Sequence, residues 1–397
     1  MRILMVCAKF YPSTESGGVV RFTYDLATKL VASGHDVTVY TSAAMDSGSC
    51  VKETNQIVDV EGIKVRYFQS IFWKQAWSRK LWVTPRLIKT AKDELHRFDI
   101  IHMHELRTFQ NIVVRHYARE YGIPYVFHGH GDVALFIPRS NQKHVFDLLF
   151  GHRILRDASK LITMTRLEIH EYKKMGMDED KIITIPVAYD VDSFHHLPTG
   201  GQFRNKFSIK EKHIILFLGR IALIKGIDFL VQSFHELAKE RDDTILVIAG
   251  PDDGYRPTLE GLIKRLNLSP RVVFTGFLDG EDKLAALVDA TMLVQTSIYE
   301  RGPGSPFEAV LCGTPIIVTK DTGCGEMVAE ADAGYLVQYG NLSELTNTMR
   351  QILDDPAEAR DKAQKGRQYI IENLSWQRII EKYERLYESA IGLRSLK

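Results

Sequence analysis

Several features that identify particular classes of protein are scarce or missing in this sequence. The four cysteines are scattered, without the spacing of a metal site or a disulfide framework, so they are expected to be buried thiols in a reducing, cytoplasmic setting. No apolar run approaches about 20 residues, which predicts that no segment crosses a membrane. The apolar stretch before Lys9 is too short for a secretory signal, so none is expected.

An excess of charge is also missing. The 51 basic residues are balanced by 50 acidic ones, and a net charge of +1 creates no general attraction for nucleic acid. Hydrophobic residues make up 45% of the chain and charged residues 25%, which is typical of a globular protein with a large core. A length of 397 residues is too great for one core and predicts two domains.

Short apolar runs alternate with amphipathic helical patterns along the whole chain. This alternation is typical of a parallel β-sheet covered by helices, and it begins again after residue 212. The predicted strands are 2–8, 36–42, 63–68, 99–104, 124–129, 160–165, 181–186, 213–220, 244–250, 271–277, 291–297 and 314–320. The sequence therefore predicts an α/β fold with two doubly wound, Rossmann-like domains, whose sheet edges can face one another across a ligand-binding cleft.

The polar segment 195–212 contains Gly, Pro and Lys and has the composition of an interdomain linker. We therefore predict an N-terminal domain over 1–197 and a C-terminal domain over 198–374. The amphipathic segment 375–397 predicts one more helix, which is expected to pack back toward the N-terminal domain.

The segment FLGRIALIKGIDFL (217–230) combines two cations with the start of a helix. A predicted strand ends at Gly219-Arg220, and Lys225-Gly226 opens the next helix after a short loop. Arg can bind two phosphate oxygens at once, Lys supplies a point charge, and a helix N-terminus adds N–H donors. The pattern predicts a diphosphate site, with a solvated basic turn as the alternative. It lacks the Gly-Lys-Ser/Thr core of a Walker loop.

Two strand ends in the first half carry further candidates. Gly17-Gly18 stand at a helix start, where a ligand could approach the backbone closely; a tight turn is the alternative, and the absence of G-x-G-x-x-G disfavours a dinucleotide cofactor. His128 and His130 lie on the same side of a strand end and could bind a metal. No third ligand is evident nearby in the sequence. Histidines beside a cleft, contacting a sugar hydroxyl, are therefore favoured over a metal site.

The segment YERGPGSPFEAVLCGTP (299–315) places Glu300 and Glu308 on either side of a Gly- and Pro-containing loop. Glu300 can be interpreted as an ordinary solvated loop residue. Ser305, Pro306 and Glu308 have the spacing of a capping box, which predicts Ser305 as the N-cap of the next helix. Neither interpretation excludes a second role for the two carboxylates in binding a ligand.

Taken in order, these segments resemble the retaining GT-B glycosyltransferases of family four along nearly the whole chain. Each segment corresponds to one motif of that family: its GG helix start, a "LA..L...GH.V" pattern, a "D.vH.H" strand, a cleft histidine, "GRL...KG", an E-x7-E pair, "GG..E.V" and "G.LV". The matching segments are Gly17-Gly18, 26–37, 99–107, His130 (with His128 as second choice), 219–226, Glu300 with Glu308, 322–328 and 333–337. Each motif alone is weak, but their order is specific.

The resemblance has two departures. The family usually has EGFG where this chain has ERGPG (300–304), so Arg301 and Pro303 alter the loop expected beside the donor sugar. The family usually has Asn-Gly where this chain has Val187 and Ala188, in a loop expected near the hinge. The first departure bears on the identity of the sugar, and neither removes a residue expected at the diphosphate.

The resemblance implies that the donor binds the C-terminal half and the acceptor the N-terminal half. Glu308 would accept hydrogen bonds from the ribose, Glu300 would lie near the donor sugar, and the amides of 304–307 would hold sugar or phosphate oxygens. The implied donor-binding residues are Gly17, Gly18, Arg220, Lys225, Gly304, Ser305, Pro306, Phe307 and Glu308. The implied catalytic residues are His130, Glu300, Arg220 and Lys225.

The activity implied by the resemblance is transfer of a sugar from a nucleotide diphosphate sugar, expected to be UDP-linked, to a hydroxyl of a sugar or lipid-linked sugar, with retention at the anomeric carbon. No metal and no cofactor are implied. A role in cell-surface polysaccharide or glycolipid synthesis is expected. The alternatives are a sugar-nucleotide epimerase of the same fold and a non-catalytic sugar-binding protein; a Rossmann oxidoreductase is disfavoured.

A last candidate is the segment 70–89, which carries Trp73, Trp77 and Trp82 among lysines and arginines. Trp73 and Trp77 would share one helix face, and aromatic residues flanked by basic ones suit a helix on an anionic membrane. A core helix with solvated cations is the alternative. The segment predicts a peripheral contact with the inner face of the membrane.

Overall fold

Parallel β-sheets form the centre of both halves of the chain in the computed structural model, which describes residues 1–13, 18–45, 49–71, 82–133 and 140–395. The described structure divides into two compact units. The first contains Met1–Ile185 and Ile379–Lys397, and the second contains Pro186–Arg378.

The first unit contains an eight-stranded sheet. In chain order its strands are β1 (Arg2–Val6), β2 (Asp36–Ser42), β3 (Ile57–Val60), β4 (Ile63–Phe68), β5 (Ile100–His104), β6 (Tyr125–His128), β7 (Lys160–Thr163) and β8 (Ile182–Thr184). Their spatial order is β3-β4-β2-β1-β5-β6-β7-β8, with every pairing parallel except β3 with β4. The central strands are buried along their length, as parallel strands covered on both faces should be.

The second unit contains a six-stranded, fully parallel sheet. Its strands are β9 (His213–Leu218), β10 (Thr244–Ala249), β11 (Val272–Gly276), β12 (Met292–Gln295), β13 (Ile316–Thr319) and β14 (Tyr335–Val337), in the order β11-β10-β9-β12-β13-β14. Both sheets have the doubly wound arrangement that the alternation of apolar runs predicts. The α/β prediction is therefore confirmed.

Helices cover the faces of these sheets. They span Gly18–Ala32, Arg86–Glu94, Phe109–Glu120, Ser140–Phe146, His152–Asp157, Leu167–Lys174, Gln202–Lys206, Ile227–Ala238, Arg256–Arg265, Gly280–Asp289, Gly304–Leu311, Gly323–Glu330, Leu342–Asp354, Pro356–Asn373 and Trp376–Ser395. Among the described residues, none of these helices has both the length and the apolar character needed to cross a bilayer.

The division between the units differs from the predicted domain boundaries at 197/198 and 374/375. Tyr189 and Phe194 are buried in the core of the second unit, so the chain joins that unit before the polar segment begins. The predicted C-terminal helix is observed as Trp376–Ser395, and from Ile379 onward it belongs to the first unit. Hydrogen bonds attach it there, from His102 Nδ1 to the Tyr387 hydroxyl (2.8 Å) and from His35 Nε2 to Glu384 Oε1 (3.0 Å).

A buried ion-pair network ties the end of β5 to the loop that follows β6. Arg107 contacts both carboxylate oxygens of Asp147, at 3.1 Å from Nε and 2.7 Å from Nη2, and its Nη1 also reaches Asp132. The side chains of Arg107 and Asp147 are only 9% and 3% exposed. Because the carboxylate has been removed from water, it depends on the guanidinium for compensation.

We expect Arg107→Ala to lower the free energy of unfolding by about 3–5 kcal/mol, because it leaves the Asp147 carboxylate buried without its cation. The matched control is Arg2→Ala, which breaks the exposed pair with Asp99 (2.6 Å) and should lower the free energy of unfolding much less. Urea unfolding of both variants measures the difference. Equal costs would contradict a compensating role for Arg107.

Candidate functional site

The predicted site residues of the second unit follow two strands at the centre of its sheet. β9 and β12 are neighbours there, while β10 and β11 lie on one side and β13 and β14 on the other. The strand order therefore reverses between β9 and β12, so the connections that follow these two strands run to opposite sides of the sheet. Arg220 follows β9 and Glu300 follows β12. Such reversal points are where open α/β sheets bind ligands.

The loop after β9 has little freedom to change shape. It ends in the turn Leu223–Lys225 and then Gly226, whose φ is +59° and whose carbonyl accepts the first hydrogen bonds of the Ile227–Ala238 helix. A Cβ on Gly226 would lie 2.2 Å from the backbone oxygen of Thr296. The Thr296 hydroxyl donates a 2.8 Å hydrogen bond to the Gly226 carbonyl. The loop carrying Lys225 is thus fixed against the end of β12.

Lys225 and Glu300 are in direct contact. The Lys225 ammonium bonds Glu300 Oε2, and the same oxygen accepts from Gln295 Nε2 (2.9 Å) and lies 3.3 Å from the Ser297 hydroxyl. Both charged side chains are largely buried, so their attraction is less screened than it would be at the surface. The two residues that the sequence places 75 positions apart form one ion pair.

Arg220 is held differently. Its Nη1 atom lies 2.6 Å from Asp253 Oδ2, and the two side chains are 61% and 52% exposed. An exposed pair of this kind contributes about 0–1 kcal/mol, so Arg220 can exchange its partner at little cost. Of the two predicted diphosphate cations, Lys225 is therefore buried and fixed, and Arg220 is exposed and movable.

The helix after the glycine-rich loop begins earlier than predicted. It spans Gly304–Leu311 with Pro303 at the N-cap, so the predicted capping box with Ser305 as N-cap is wrong. The Ser305 hydroxyl instead lies 2.7 Å from the Leu218 carbonyl and 3.0 Å from Gln295 Oε1, which joins the helix to β9 and β12. That tertiary contact outweighs the local capping pattern.

The backbone amides of 304–307 are predicted to hold sugar or phosphate oxygens, but only some of them can do so. Pro306 has no N–H, and the Phe307 amide donates to the Pro303 carbonyl at 2.9 Å. The amides of Gly304 and Ser305 belong to the first turn, where the helix offers no acceptor. Space lies open at Gly304, since nothing is within 4 Å of where a Cβ would be.

Glu308 lies one helical turn further on, where Lys283 Nζ contacts its Oε1 atom at 2.9 Å. Both side chains are less than a fifth exposed. Lys283 comes from the Gly280–Asp289 helix and belongs to no motif in the sequence; it fixes the carboxylate that the resemblance assigns to the ribose. Sequence reasoning also misses Gln295 and Ser297, because polar residues at the end of a strand carry no motif of their own.

The two departures from the family pattern lie against each other. A Cβ on Gly302 would meet Val187 Cγ2 at 3.3 Å, and the Tyr189 hydroxyl donates a 2.9 Å hydrogen bond to the Pro303 carbonyl. Burial raises the pKa of Tyr189, so this hydroxyl stays protonated and remains a donor. The segment 185–194 thus supports the 300–304 loop directly.

The TGCGEMV segment (322–328) also meets this loop. Thr322 caps the Gly323–Glu330 helix by accepting from the Gly325 amide at 3.0 Å. The Gly323 amide donates to the backbone carbonyl of Glu300 at 2.7 Å. Glu300 is consequently held at both its backbone and its side chain.

In the first unit the strand order reverses between β1 and β5; Gly18 follows β1, whereas His130 follows β6, the strand next to β5. Gly18 begins the helix that follows β1, and a Cβ added to it would find nothing within 4 Å, while Gly17 lies outside the described residues. His130 is buried, has a φ of +46°, and its Nε2 lies 2.9 Å from His104 Nδ1. A left-handed conformation is costly for histidine and is typical of functional sites.

Histidines from β5 join those singled out on β6. His102, His104 and His128 offer ring nitrogens within 4.8 Å of one another, so only His128 of the predicted pair belongs to this cluster, and its other two imidazoles come from the neighbouring strand β5. Burial lowers the pKa of His102 and His104 well below the ordinary value and that of His128 to about 3. All three rings are therefore neutral at neutral pH.

The segment 70–89 lies only partly within the described residues. Trp73 and Trp77 fall outside them, whereas Trp82 is buried, with the Lys9 ammonium 5.2 Å from its ring centre. Trp82 therefore belongs to the protein interior and does not present its ring to a lipid surface. The membrane contact of this segment stays a prediction for its other residues.

The fold and the loops at the two strand reversals define a GT-B glycosyltransferase. A sucrose-phosphate synthase from Thermosynechococcus elongatus has a similar structure, with a TM-score of 0.79, 21% identity and 99% of each chain covered. HepE from Anabaena, solved in complex with UDP-glucose, has a TM-score of 0.76 at 18% identity, covering 98% of this chain and 100% of that one.

Sequence comparison identifies the family. The pattern described as "Glycosyl transferases group 1" matches residues 201–373, and that described as "Glycosyltransferase Family 4" matches residues 16–193. The 2-deoxystreptamine glucosyltransferase of Streptomyces kanamyceticus is 30% identical over 262 residues, which are 64% of this chain and 67% of that protein. The chain belongs to the group 1 glycosyltransferases.

We expect Gly226→Ala to disrupt the loop that carries Lys225, because its Cβ would collide with the Thr296 carbonyl. The matched control is Gly276→Ala, which has a similar positive φ (+76°) but open space around the new methyl group. The control should cost about 1–2 kcal/mol for the left-handed backbone, and Gly226→Ala about 1–3 kcal/mol more for the collision. Urea unfolding measures both; equal destabilisation would contradict the close approach at Gly226.

Proposed function

We propose that this glycosyltransferase moves a sugar from a UDP-linked donor onto a hydroxyl of a sugar or lipid-linked sugar, with retention at the anomeric carbon. The observation that carries the proposal is the buried Lys225–Glu300 pair at the strand reversal of the second unit, where a cation for the diphosphate and a carboxylate for the sugar lie in one place. HepE, a protein of the same fold, binds UDP-glucose, and a 30% identical relative is a glucosyltransferase.

The two cations would receive the diphosphate. Arg220 leaves its exposed partner Asp253 at little cost, and its planar guanidinium can bind two phosphate oxygens at once. Lys225 is already fixed in a largely buried position, so its charge is preorganised where the leaving group develops negative charge. Cleavage of the bond between the sugar and the phosphate is the step that both cations would assist.

Donor binding would also change the state of Glu300. When the Lys225 ammonium binds the diphosphate, Glu300 loses its contact with Lys225 and keeps its contacts with Gln295 and Ser297. The Glu300 carboxylate then becomes available to hydroxyls of the donor sugar. Glu308, fixed by Lys283, would accept from the two ribose hydroxyls. His130 would contact a sugar hydroxyl from the first unit.

Retention would follow from attack on the same face that the diphosphate leaves, through an oxocarbenium-like state. The hydrogen bonds that hold Glu300 favour charge stabilisation by this carboxylate over covalent attack. The acceptor hydroxyl would pass its proton to the leaving phosphate. We further propose a role in cell-surface polysaccharide or glycolipid synthesis at the cytoplasmic side of the membrane.

The test is incubation of the purified protein with a panel of nucleotide sugars, with and without sugar acceptors, following nucleotide diphosphate release and the anomeric configuration of the product by NMR. The proposal expects acceptor-dependent release of UDP and a retained configuration. A changed donor sugar without acceptor would indicate an epimerase, and binding without turnover would indicate a sugar-binding protein. Either result would overturn the proposal.

We predict that Arg220→Ala and Lys225→Ala each lower kcat/KM by an amount equivalent to about 2–4 kcal/mol, because each removes one of the two cations that would stabilise the leaving diphosphate. The control is Lys239→Ala, which removes an exposed cation of the same unit, paired with Glu236. Steady-state kinetics with the preferred donor measures the effect. The site is misplaced if both variants stay within about threefold of the unaltered protein.

Transfer should persist in excess chelator, because two protein cations neutralise the diphosphate and, among the described residues, no carboxylate cluster at this site offers the oxygen ligands that magnesium or manganese prefers. The measurement is the initial rate with and without chelator. Loss of activity that added magnesium or manganese restores would show that a metal replaces these side chains.

A further inference from the structure

Three imidazoles lie side by side on one face of the sheet in the first unit. His102 and His104 are two positions apart on β5, so they point to the same face. His128 on β6 is the register partner of His104 in the parallel pairing. The strand geometry therefore brings the three rings together without any loop, and a rigid sheet holds them.

The Nδ1 atoms of His102 and His104 already have hydrogen-bond partners. His102 Nδ1 lies 2.8 Å from the Tyr387 hydroxyl, and His104 Nδ1 lies 2.9 Å from His130 Nε2. These contacts orient each ring and direct its Nε2 atom away from the contact. Metal-binding histidines show this pattern, in which the second nitrogen is fixed by a neighbouring polar group.

The other ring nitrogens of the three histidines have no hydrogen-bond partner among the described residues. Within the described part of the chain, the Nε2 atoms of His102 and His104 and both nitrogens of His128 are buried without a hydrogen bond. The hydroxyl of Tyr383, whose ring lies 5.7 Å from that of His102, is also buried without one. Buried polar atoms are rarely left unpaired, so several at one place indicate an occupant.

We propose that His102, His104 and His128 bind one Zn²⁺ ion through the Nε2 atoms of His102 and His104 and one ring nitrogen of His128. Each ring offers a nitrogen within 4.8 Å of one offered by each of the other two, whereas two nitrogens bound at about 2.0–2.1 Å in a tetrahedral zinc site are about 3.4 Å apart. Closure needs movements of less than about 1 Å, which side-chain rotation supplies. Three nitrogen ligands leave a fourth tetrahedral position for water, and the Tyr383 hydroxyl is a nearby partner for it.

The donor set also decides the kind of ion. Imidazole suits zinc and other transition metals, while magnesium and calcium require oxygen ligands that these three side chains do not offer. The site therefore has no part in neutralising the diphosphate of the second unit. A zinc ion here would join β5 to β6 and, through His104, fix the position of His130.

The experiment is equilibrium dialysis of the chelator-treated full-length chain against Zn²⁺ alone, with the bound metal counted by elemental analysis and thermal unfolding followed in parallel. We expect one equivalent of zinc, and a melting temperature raised by about 5 °C at a zinc concentration about 100 times the dissociation constant. An unchanged melting temperature with less than one equivalent bound would overturn the proposal, because a buried water would then satisfy the nitrogens.

Variants locate the zinc. His102→Leu should abolish binding, and Tyr387→Phe, which keeps the ring and removes only the hydroxyl that orients His102, should weaken it by about tenfold or more. Tyr387→Phe decides the test if His102→Leu does not fold. The control is His116→Gln, which removes an exposed histidine of the same unit. Loss of zinc in the control, or unchanged affinity in Tyr387→Phe, would place the zinc elsewhere and overturn the proposal.

Discussion

The reversal of strand order within each sheet is the constraint on which the rest of the structure depends. Where the connections of neighbouring parallel strands run to opposite sides of a sheet, the carboxyl ends of those strands form the edge at which open α/β sheets bind ligands. In the second unit this occurs between β9 and β12, and in the first between β1 and β5. Arg220, Lys225 and Glu300 stand at the former reversal and Gly18 and His104 at the latter, so residues distant in sequence become neighbours through topology alone.

Most of the strands and several site residues can be predicted from the sequence, and there are physical reasons why the others cannot. Continuous apolar runs predict the buried strands, but β3 (Ile57–Val60) is half exposed at a sheet edge and β14 (Tyr335–Val337) has only three residues, so neither gives a clear signal. The motif positions of Lys225 and Glu300 are accessible from the sequence through the family resemblance. The partners Gln295 and Lys283 are not, because their role comes from contacts between elements. The N-cap prediction for Ser305 is wrong because a contact with β9 outweighs a local rule.

The second unit shows how a departure from a family pattern is accommodated. The ERGPG loop (300–304) stands where the family usually has EGFG, and Val187-Ala188 stands where it usually has Asn-Gly. The two segments are in contact through Gly302 and through the hydrogen bond from Tyr189 to Pro303. A hydrophobic side chain at 187 covers the glycine of the altered loop. Two segments that are separate in the sequence therefore pack against each other.

The ion pair between Lys225 and Glu300 has a consequence for selectivity among anions. While no ligand is bound, the glutamate serves as the resident counterion of the lysine, and every incoming anion must displace it from a largely buried position. A small phosphate or carboxylate that replaces one contact with another gains little from this exchange. If the two cations receive the diphosphate as proposed, an anion long enough to reach Arg220 as well would gain a second cation, and the carboxylate would act as a filter against small anions.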